Sequence, residues 1–182
     1  TLRASIVINA AGPWVDHVLG DAKVNDRRQI GGAKGSHLIV NPFPGAPRDV
    51  VYYESRADGR LVLVIPWGER YMIGTTDNRV DSPETEANDI DIEFVLRQIN
   101  AQLELEKPIT KDEIVSARSG VRPLVIDGGQ GDNQDWHQLS RKHVIETNDE
   151  SGVISILGGK LTDCLNVGQE VLTELRHLGL RG

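Results

Sequence analysis

The sequence predicts an α+β fold, with an antiparallel β-sheet domain and flanking helices in the middle and strand–turn–helix pieces of a different layer at both ends. Three observations carry that expectation. Segments 50–54, 60–66 and 70–75 read as strands joined by Ala57-Asp58-Gly59 and Trp67-Gly68-Glu69, the turn chemistry of an antiparallel meander. An apolar strand at 5–10 ends in Ala11-Gly12-Pro13, where proline suits a first helical turn. The apolar run Val153-Ile154-Ser155-Ile156-Leu157 turns through Gly158-Gly159-Lys160 into a periodic stretch over 161–178, which reads as a helix.

In chain order, residues 5–10 are a strand, and 13–19 are a short helix stopped by Gly20. Residues 21–33 read as a polar connection and 36–41 as a strand, and Pro42, Pro44, Gly45 and Pro47 then impose a loop. After the meander, 88–104 is the first long helix, with Ile92, Val95, Leu96, Ile99 and Leu103 at helical spacing. Asp89, Asp91 and Glu93 favour its amino terminus electrostatically, and the acidic stretch 81–93 reads as a solvated loop and helix start. Thr110-Lys111-Asp112-Glu113 is a capping-box pattern for a single turn. Residues 114–120 and 141–147 are strands around a mobile loop at 127–138, which is rich in Gly, Asp, Asn and Gln. In the last helix Leu161, Leu165, Leu172 and Leu175 share one face, and Cys164 reads as a small buried residue.

Composition bounds the class. Of 182 residues, 38% are hydrophobic and 26% charged, so a soluble globular fold is expected. Net charge is −7, from 27 acids and 20 bases, which argues against nucleic acid as a partner and against a general membrane-surface role. A single cysteine excludes an intrachain disulfide. The histidines His17, His37, His137, His143 and His177 show no metal-ligand spacing, so no metal is expected. The only methionine, Met72, predicts a chain processed or excised from a longer protein.

The segment Gly158-Gly159-Lys160-Leu161-Thr162 is the most informative motif. A strand that passes through two glycines into a helix start lets backbone approach a ligand and aims N–H groups and the positive helix end at it. A lysine there adds a full charge, so the corner suits a ligand that is anionic or becomes so during reaction. On its own, the same pattern serves equally as a strand–helix turn with glycines for packing.

Four further segments accompany it in a fixed order: Ser5-Ile6-Val7-Ile8-Asn9-Ala10-Ala11-Gly12-Pro13-Trp14; Lys34-Gly35-Ser36-His37; Ile65-Pro66-Trp67 with Ile73-Gly74-Thr75-Thr76-Asp77; and Ser119-Gly120-Val121-Arg122-Pro123-Leu124. The ordered set resembles the FAD-dependent glycerol-3-phosphate dehydrogenases and oxidases, within the wider D-amino-acid-oxidase-like flavoproteins. The resemblance implies that 1–33 and 151–182 are segments of an FAD-binding, Rossmann-like domain and that 34–150 is the substrate-binding antiparallel sheet domain. It implies FAD as cofactor, glycerol 3-phosphate as small-molecule substrate and quinone or oxygen as electron acceptor. It also implies a cytoplasmic location, with the longer parent protein peripheral on the cytoplasmic membrane face.

Flavin-dependent alcohol oxidation needs a base, a hydride acceptor, a counter-charge for the reduced ring and a grip on the substrate's charged tail. His37 is the candidate base, since an ordinary imidazole titrates near neutrality. Lys160 with its neighbouring N–H groups suits the counter-charge, and the resemblance lets the lysine reach the substrate too. The resemblance also puts Arg122 and Arg141 at the substrate phosphate, which a guanidinium grips with paired hydrogen bonds. The expected catalytic residues are therefore His37, Lys160 and Arg122. Arg122, Arg141, Lys160, Thr75 and Thr76 would contact substrate. Ala11, Gly12, Trp14, Gly158, Gly159, Lys160, Leu161 and Thr162 would contact the cofactor. Apart from the resemblance, each arginine reads as a surface or ion-pair residue, and His37 as a core histidine bonded to backbone.

Two departures qualify the expectation. The G-x-G-x-x-G turn that holds a flavin pyrophosphate is absent, so these residues alone are expected not to turn over. Asp163-Cys164-Leu165 stands where many relatives carry Thr-Tyr-Arg, which places a carboxylate at the helix start. Two alternatives remain: an FAD-dependent oxidase or dehydrogenase of an amino acid or 2-hydroxy acid, and a non-catalytic phosphate- or substrate-binding domain.

Overall fold

The computed structural model describes residues 3–25, 27–56, 58–103, 105–126, 139 and 141–180. In chain order the elements are β1 (Val7–Asn9), α1 (Val15–Asp21), β2 (Ile30–Val40), β3 (Val51–Glu54), β4 (Leu61–Trp67) and β5 (Arg70–Gly74). Next come β6 (Asn78–Val80), α2 (Asp89–Gln102), β7 (Ile114–Val125), β8 (Val144–Asn148), β9 (Val153–Leu157) and α3 (Cys164–His177). The expected α+β class is what the chain forms. The chain divides into two compact units, one of residues 1–33, 79–83 and 122–182, the other of residues 34–78 and 84–121.

The second unit contains the meander. Strands β3, β4 and β5 pair antiparallel, with Tyr52 opposite Leu63 and Val64 opposite Ile73. At the second hairpin Trp67 pairs with Arg70 across a two-residue turn. The outer part of β2 continues the sheet, placing His37 opposite Gly74 and Val40 opposite Tyr71. Val64, Ile73, Leu38 and Val40 present one face to α2, whose Val95, Leu96 and Ile99 complete a buried core with Phe43 and Ile109. Asn88 caps α2: its side chain accepts from the Asp91 N–H at 3.0 Å, while Asp91 accepts from the Asn88 N–H at 3.1 Å. The expected box at Thr110 also forms, with the Thr110 N–H donating to Glu113 at 2.8 Å.

The first unit is a three-stranded sheet in the order β1-β9-β8. β1 and β9 are parallel, with Val7 opposite Val153 and Asn9 opposite Ser155, and β8 is antiparallel to β9. Val15 and Leu19 of α1 pack with Ile30, Val125, Val153 and Leu157 to form its core.

Several expectations are corrected. β2 begins at Ile30, inside the expected polar connection, because Gly31, Gly32, Ala33 and Gly35 carry no alternation to read. β7 runs through Arg122 and Pro123 to Val125. β8 starts at Val144, so Arg141 lies before the strand. α1 continues through Gly20 to Asp21, a glycine cost that its packed Val15 and Leu19 outweigh. Cys164 is exposed. The shared leucine face is open where Leu161 is 89% and Leu165 84% exposed, and Val171 makes the buried contact of the helix. The expected loop at 127–138 lies outside the described residues. Among the described residues no helix is long and apolar enough to cross a membrane.

Candidate functional site

The parallel pairing of β1 with β9 is what organises the candidate site. Both strands end at the same sheet edge, so the Ala11–Trp14 turn and the Gly158–Thr162 corner leave the sheet side by side. In open α/β sheets ligands bind beyond the carboxyl ends of parallel strands, where turns enter helices. Asn9 fastens the first turn: its carboxamide donates to the Val15 carbonyl at 3.1 Å and accepts from the Ala11 N–H at 3.3 Å. This buried Asn9 is absent from the sequence-derived site, although an asparagine ending a strand before a turn is its readable signal. Pro13 lies within the 3₁₀ turn Gly12–Trp14, where its missing N–H costs nothing. Gly12 has open space where a side chain would stand.

The second corner is built by two left-handed glycines in succession, Gly158 at φ +64° and Gly159 at φ +88°. A Cβ at Gly158 would lie 2.8 Å from Val125 Cγ2 and 3.1 Å from the Lys142 carbonyl, and one at Gly159 2.9 Å from His143 Cβ. Packing against the protein thus demands these glycines, while the turn they make carries the chain to Lys160 and the helix start. Lys160 is extended, and its carbonyl accepts the Asp163 N–H at 3.0 Å to close the 3₁₀ turn Leu161–Asp163, from which α3 continues.

Arg141, Lys142, Gly159, Lys160, Thr162 and Asp163 line one cleft of about 510 Å³. Three cations around a glycine corner give it a positive lining on a chain of net charge −7. The sequence reading brought Arg141 and Lys160 to this place and missed Lys142. Gly159 and Lys160 also line a second cleft, of about 460 Å³, with Ile156, Leu161, Cys164 and Val167. That cleft is mostly apolar, so the corner separates a charged recess from an apolar one. Arg122 is half-buried on β7. The carbonyl of the next residue, Pro123, would lie 3.6 Å from a Cβ at Gly158, so β7 backs the same corner.

Asp163, the residue that departed from the expected pattern, does not face the corner unopposed. Its carboxylate meets His143 Nδ1 at 2.9 Å, and His143 Nε2 meets Glu170 at 3.0 Å. The Glu170 hydrogen bond, against some desolvation, holds the His143 pKa above its ordinary value, with the charges of Glu170 and Asp163 adding to the effect.

His37, Thr75 and Thr76 belong to the second unit. A Cβ at Gly74 would come 3.0 Å from His37 Cδ2 and 2.8 Å from the Ser36 carbonyl, so glycine there leaves the imidazole its place on the sheet. Thr75 is half-buried, and its hydroxyl donates to the Thr76 carbonyl at 2.9 Å. Thr76 is only 1% exposed; its hydroxyl accepts the Ser36 N–H at 2.9 Å and faces the Lys34 carbonyl at 3.5 Å. That hydroxyl is used within the sheet. Beneath it lies a buried ion pair that the sequence did not reveal: Lys34 Nζ sits 2.6 Å from Asp91, with side chains 7% and 1% exposed. Ser36 and Asn78 also donate to Asp91, at 3.1 and 2.9 Å.

Residues 1–164 match the family of FAD dependent oxidoreductases. A glycerol-3-phosphate dehydrogenase of Synechocystis is 37% identical over 183 residues, covering 94% of this chain and 32% of the relative. An aerobic glycerol-3-phosphate dehydrogenase of Staphylococcus saprophyticus is 31% identical, covering 94% of this chain and 30% of the relative. The chain thus spans about a third of the length of the curated relatives it matches. Among solved structures, the glycerol-3-phosphate dehydrogenase of Bacillus halodurans complexed with FAD superposes with a TM-score of 0.78 at 28% identity, over 99% of this chain and 34% of that one. A glycine oxidase of Geobacillus kaustophilus, at a TM-score of 0.59 and 17% identity over 90% of this chain and 38% of that one, shares the fold.

Proposed function

The chain belongs to the FAD dependent oxidoreductase family, and on that premise we propose that it forms part of a flavoprotein oxidising sn-glycerol 3-phosphate to dihydroxyacetone phosphate. The single observation that carries the reading is the cleft lined by Arg141, Lys142 and Lys160 at the Gly158-Gly159 corner, which suits a dianionic phosphate in an otherwise acidic chain. Relatives that share 31–37% identity bear the name of that dehydrogenase, which supports the same substrate.

The residues present fit a flavin. Two turns with N–H groups and helix starts leave one edge of a parallel strand pair, Gly12 has open space beside it, and a lysine stands at the second turn. Ala11, Gly12, Trp14 and Gly158 to Thr162 would hold the cofactor. FAD, when bound, supplies the hydride acceptor. The chain's own residues do the rest. Arg122 and Arg141 hold the phosphate and so fix the reacting carbon. His37 takes the hydroxyl proton on its imidazole. Lys160 opposes negative charge that grows beside the corner. Residues 1–33 and 151–182 act as flavin-domain segments and 34–150 as the substrate domain. Quinone or oxygen takes the electrons, at a cytoplasmic site on the membrane periphery.

The test is the visible spectrum of the chain after incubation with excess FAD and desalting, then anaerobic addition of glycerol 3-phosphate, glycine or 2-hydroxyglutarate. In the longer parent protein, bleaching by glycerol 3-phosphate alone is expected. Bleaching by glycine or the hydroxy acid instead would replace the substrate assignment.

A further inference from the structure

His143 lies between the last turn before β8 and the start of α3, and both its ring nitrogens face carboxylates: Nδ1 to Asp163 at 2.9 Å and Nε2 to Glu170 at 3.0 Å. A carboxylate only accepts hydrogen bonds, so both nitrogens must carry protons, and the ring that satisfies this geometry is the imidazolium. Only 11% of the side chain is exposed, and its Cβ lies where a side chain at Gly159 would stand. Asp163 occupies the cap position of α3 yet makes no side-chain cap bond there, its carboxylate being turned to His143. Glu170 is braced from the other side by Asn166 Nδ2 at 2.9 Å. The charged groups around the imidazole are thus Asp163 and Glu170, with Arg141, Lys142 and Lys160 lining the cleft that Asp163 shares.

We propose that His143 is a positioning residue for the Gly158–Thr162 corner, holding Asp163 and Glu170 as an imidazolium so that the adjoining cleft remains attractive to an anion. The inference rests on the anion-binding reading of that cleft. When His143 loses its proton, one carboxylate must give up its bond and a positive charge disappears beside two negative ones. Anion affinity therefore falls as pH rises through the His143 pKa, and the backbone of Lys160 and Leu161 loosens with it. The clamp also answers how a carboxylate is tolerated at the corner, since Asp163 is turned to the imidazolium.

Histidine ring and backbone amide shifts of the full chain, tracked by NMR from pH 5 to 9 with and without sulfate, test this. Sulfate keeps one charge state throughout. The His143 ring, assigned by its loss in His143→Gln, is expected to titrate above the ordinary value of about 6.5. The Lys160 and Leu161 amides should share its midpoint, and sulfate affinity should drop roughly five- to tenfold across it, the low end of typical site coupling. In the double variant Asp163→Asn, Glu170→Gln the midpoint should fall, and the pH step in sulfate affinity should move to lower pH with it. This variant also serves if His143→Gln does not fold. An ordinary His143 midpoint, amides that ignore it, or a pH step that stays in place after the double substitution overturns the clamp. Sulfate that binds at no pH overturns the anion reading alone, because the amide titration judges the clamp without a ligand.

Discussion

At the scale of single residues, the second unit depends on the Lys34–Asp91 pair. Asp91 collects the Lys34 ammonium, the Ser36 hydroxyl, the Asn78 carboxamide and the Asn88 N–H. Burial alone would raise its pKa, but the Lys34 and backbone hydrogen bonds outweigh that and lower it. Leaving one member of a buried pair alone costs about 3–5 kcal/mol, whereas replacing both by apolar residues is often neutral. Asp91→Leu is therefore expected to lower the urea midpoint strongly, and Lys34→Met with Asp91→Leu to recover much of the loss. The pH dependence has a definite sign. A lowered carboxylate pKa gives stability that is full above the ordinary value near 4 and lost as pH falls below it. Wild-type chain should lose stability more steeply below pH 4 than the double variant does. Thr76 supplies the companion case. Because its hydroxyl is buried on the Ser36 N–H, Thr76→Val should cost about 1–3 kcal/mol through that unpaired donor. A substrate contact would instead raise KM without changing the unfolding midpoint.

At the scale of elements, legibility tracked the contrast between apolar runs and the turn residues that bound them. The meander could be read because its apolar runs are short and because Gly59 and Gly68 punctuate them. The first half of β2 could not, since its run of glycines with Ala33 and Lys34 shows no period, and a buried lysine looks polar until its partner is known. The Gly158-Gly159-Lys160 corner was legible as a motif, and so was the lysine's place in a cleft. The contact of His143 with Asp163 was not, because it joins residues twenty positions apart whose proximity only the β8–β9 pairing creates. Helical spacing placed the leucines around α3 on one face, but it does not tell whether that face is covered, and Leu161 and Leu165 are exposed. That difference is measurable. Leu165→Ser, at a position 84% exposed, should move stability by no more than about 0.5 kcal/mol. Val171→Ala, in the buried contact, should cost about 1–3 kcal/mol. Equal losses in thermal or chemical unfolding would mean that the leucine face is covered in this chain.

At the scale of the whole molecule, the distribution of charge matters more than its sum. Net charge is −7, yet Arg141, Lys142 and Lys160 gather in one cleft, with Asp163 tied to His143. An acidic molecule repels a phosphate at long range, where salt screens the repulsion, and attracts it at the cleft, where contact through hydrogen bonds is screened less. The two contributions therefore respond differently to ionic strength. Raising salt from low to physiological should speed phosphate association in this chain rather than slow it, because the repulsive outer field is weakened first. Dissociation should accelerate as well, since the exposed Arg141 and Lys142 side chains are the least protected from ions. Removing one cation, as in Lys142→Gln, should weaken affinity for inorganic phosphate by roughly threefold to tenfold, the worth of a partly exposed charge-assisted bond. It should leave the unfolding midpoint unchanged. Affinity unaffected by Lys142→Gln, Arg141→Gln and Lys160→Gln alike, in calorimetric titrations at two salt concentrations, would remove the cleft as the phosphate site. The shared substrate assignment would then rest on the likeness to longer relatives alone.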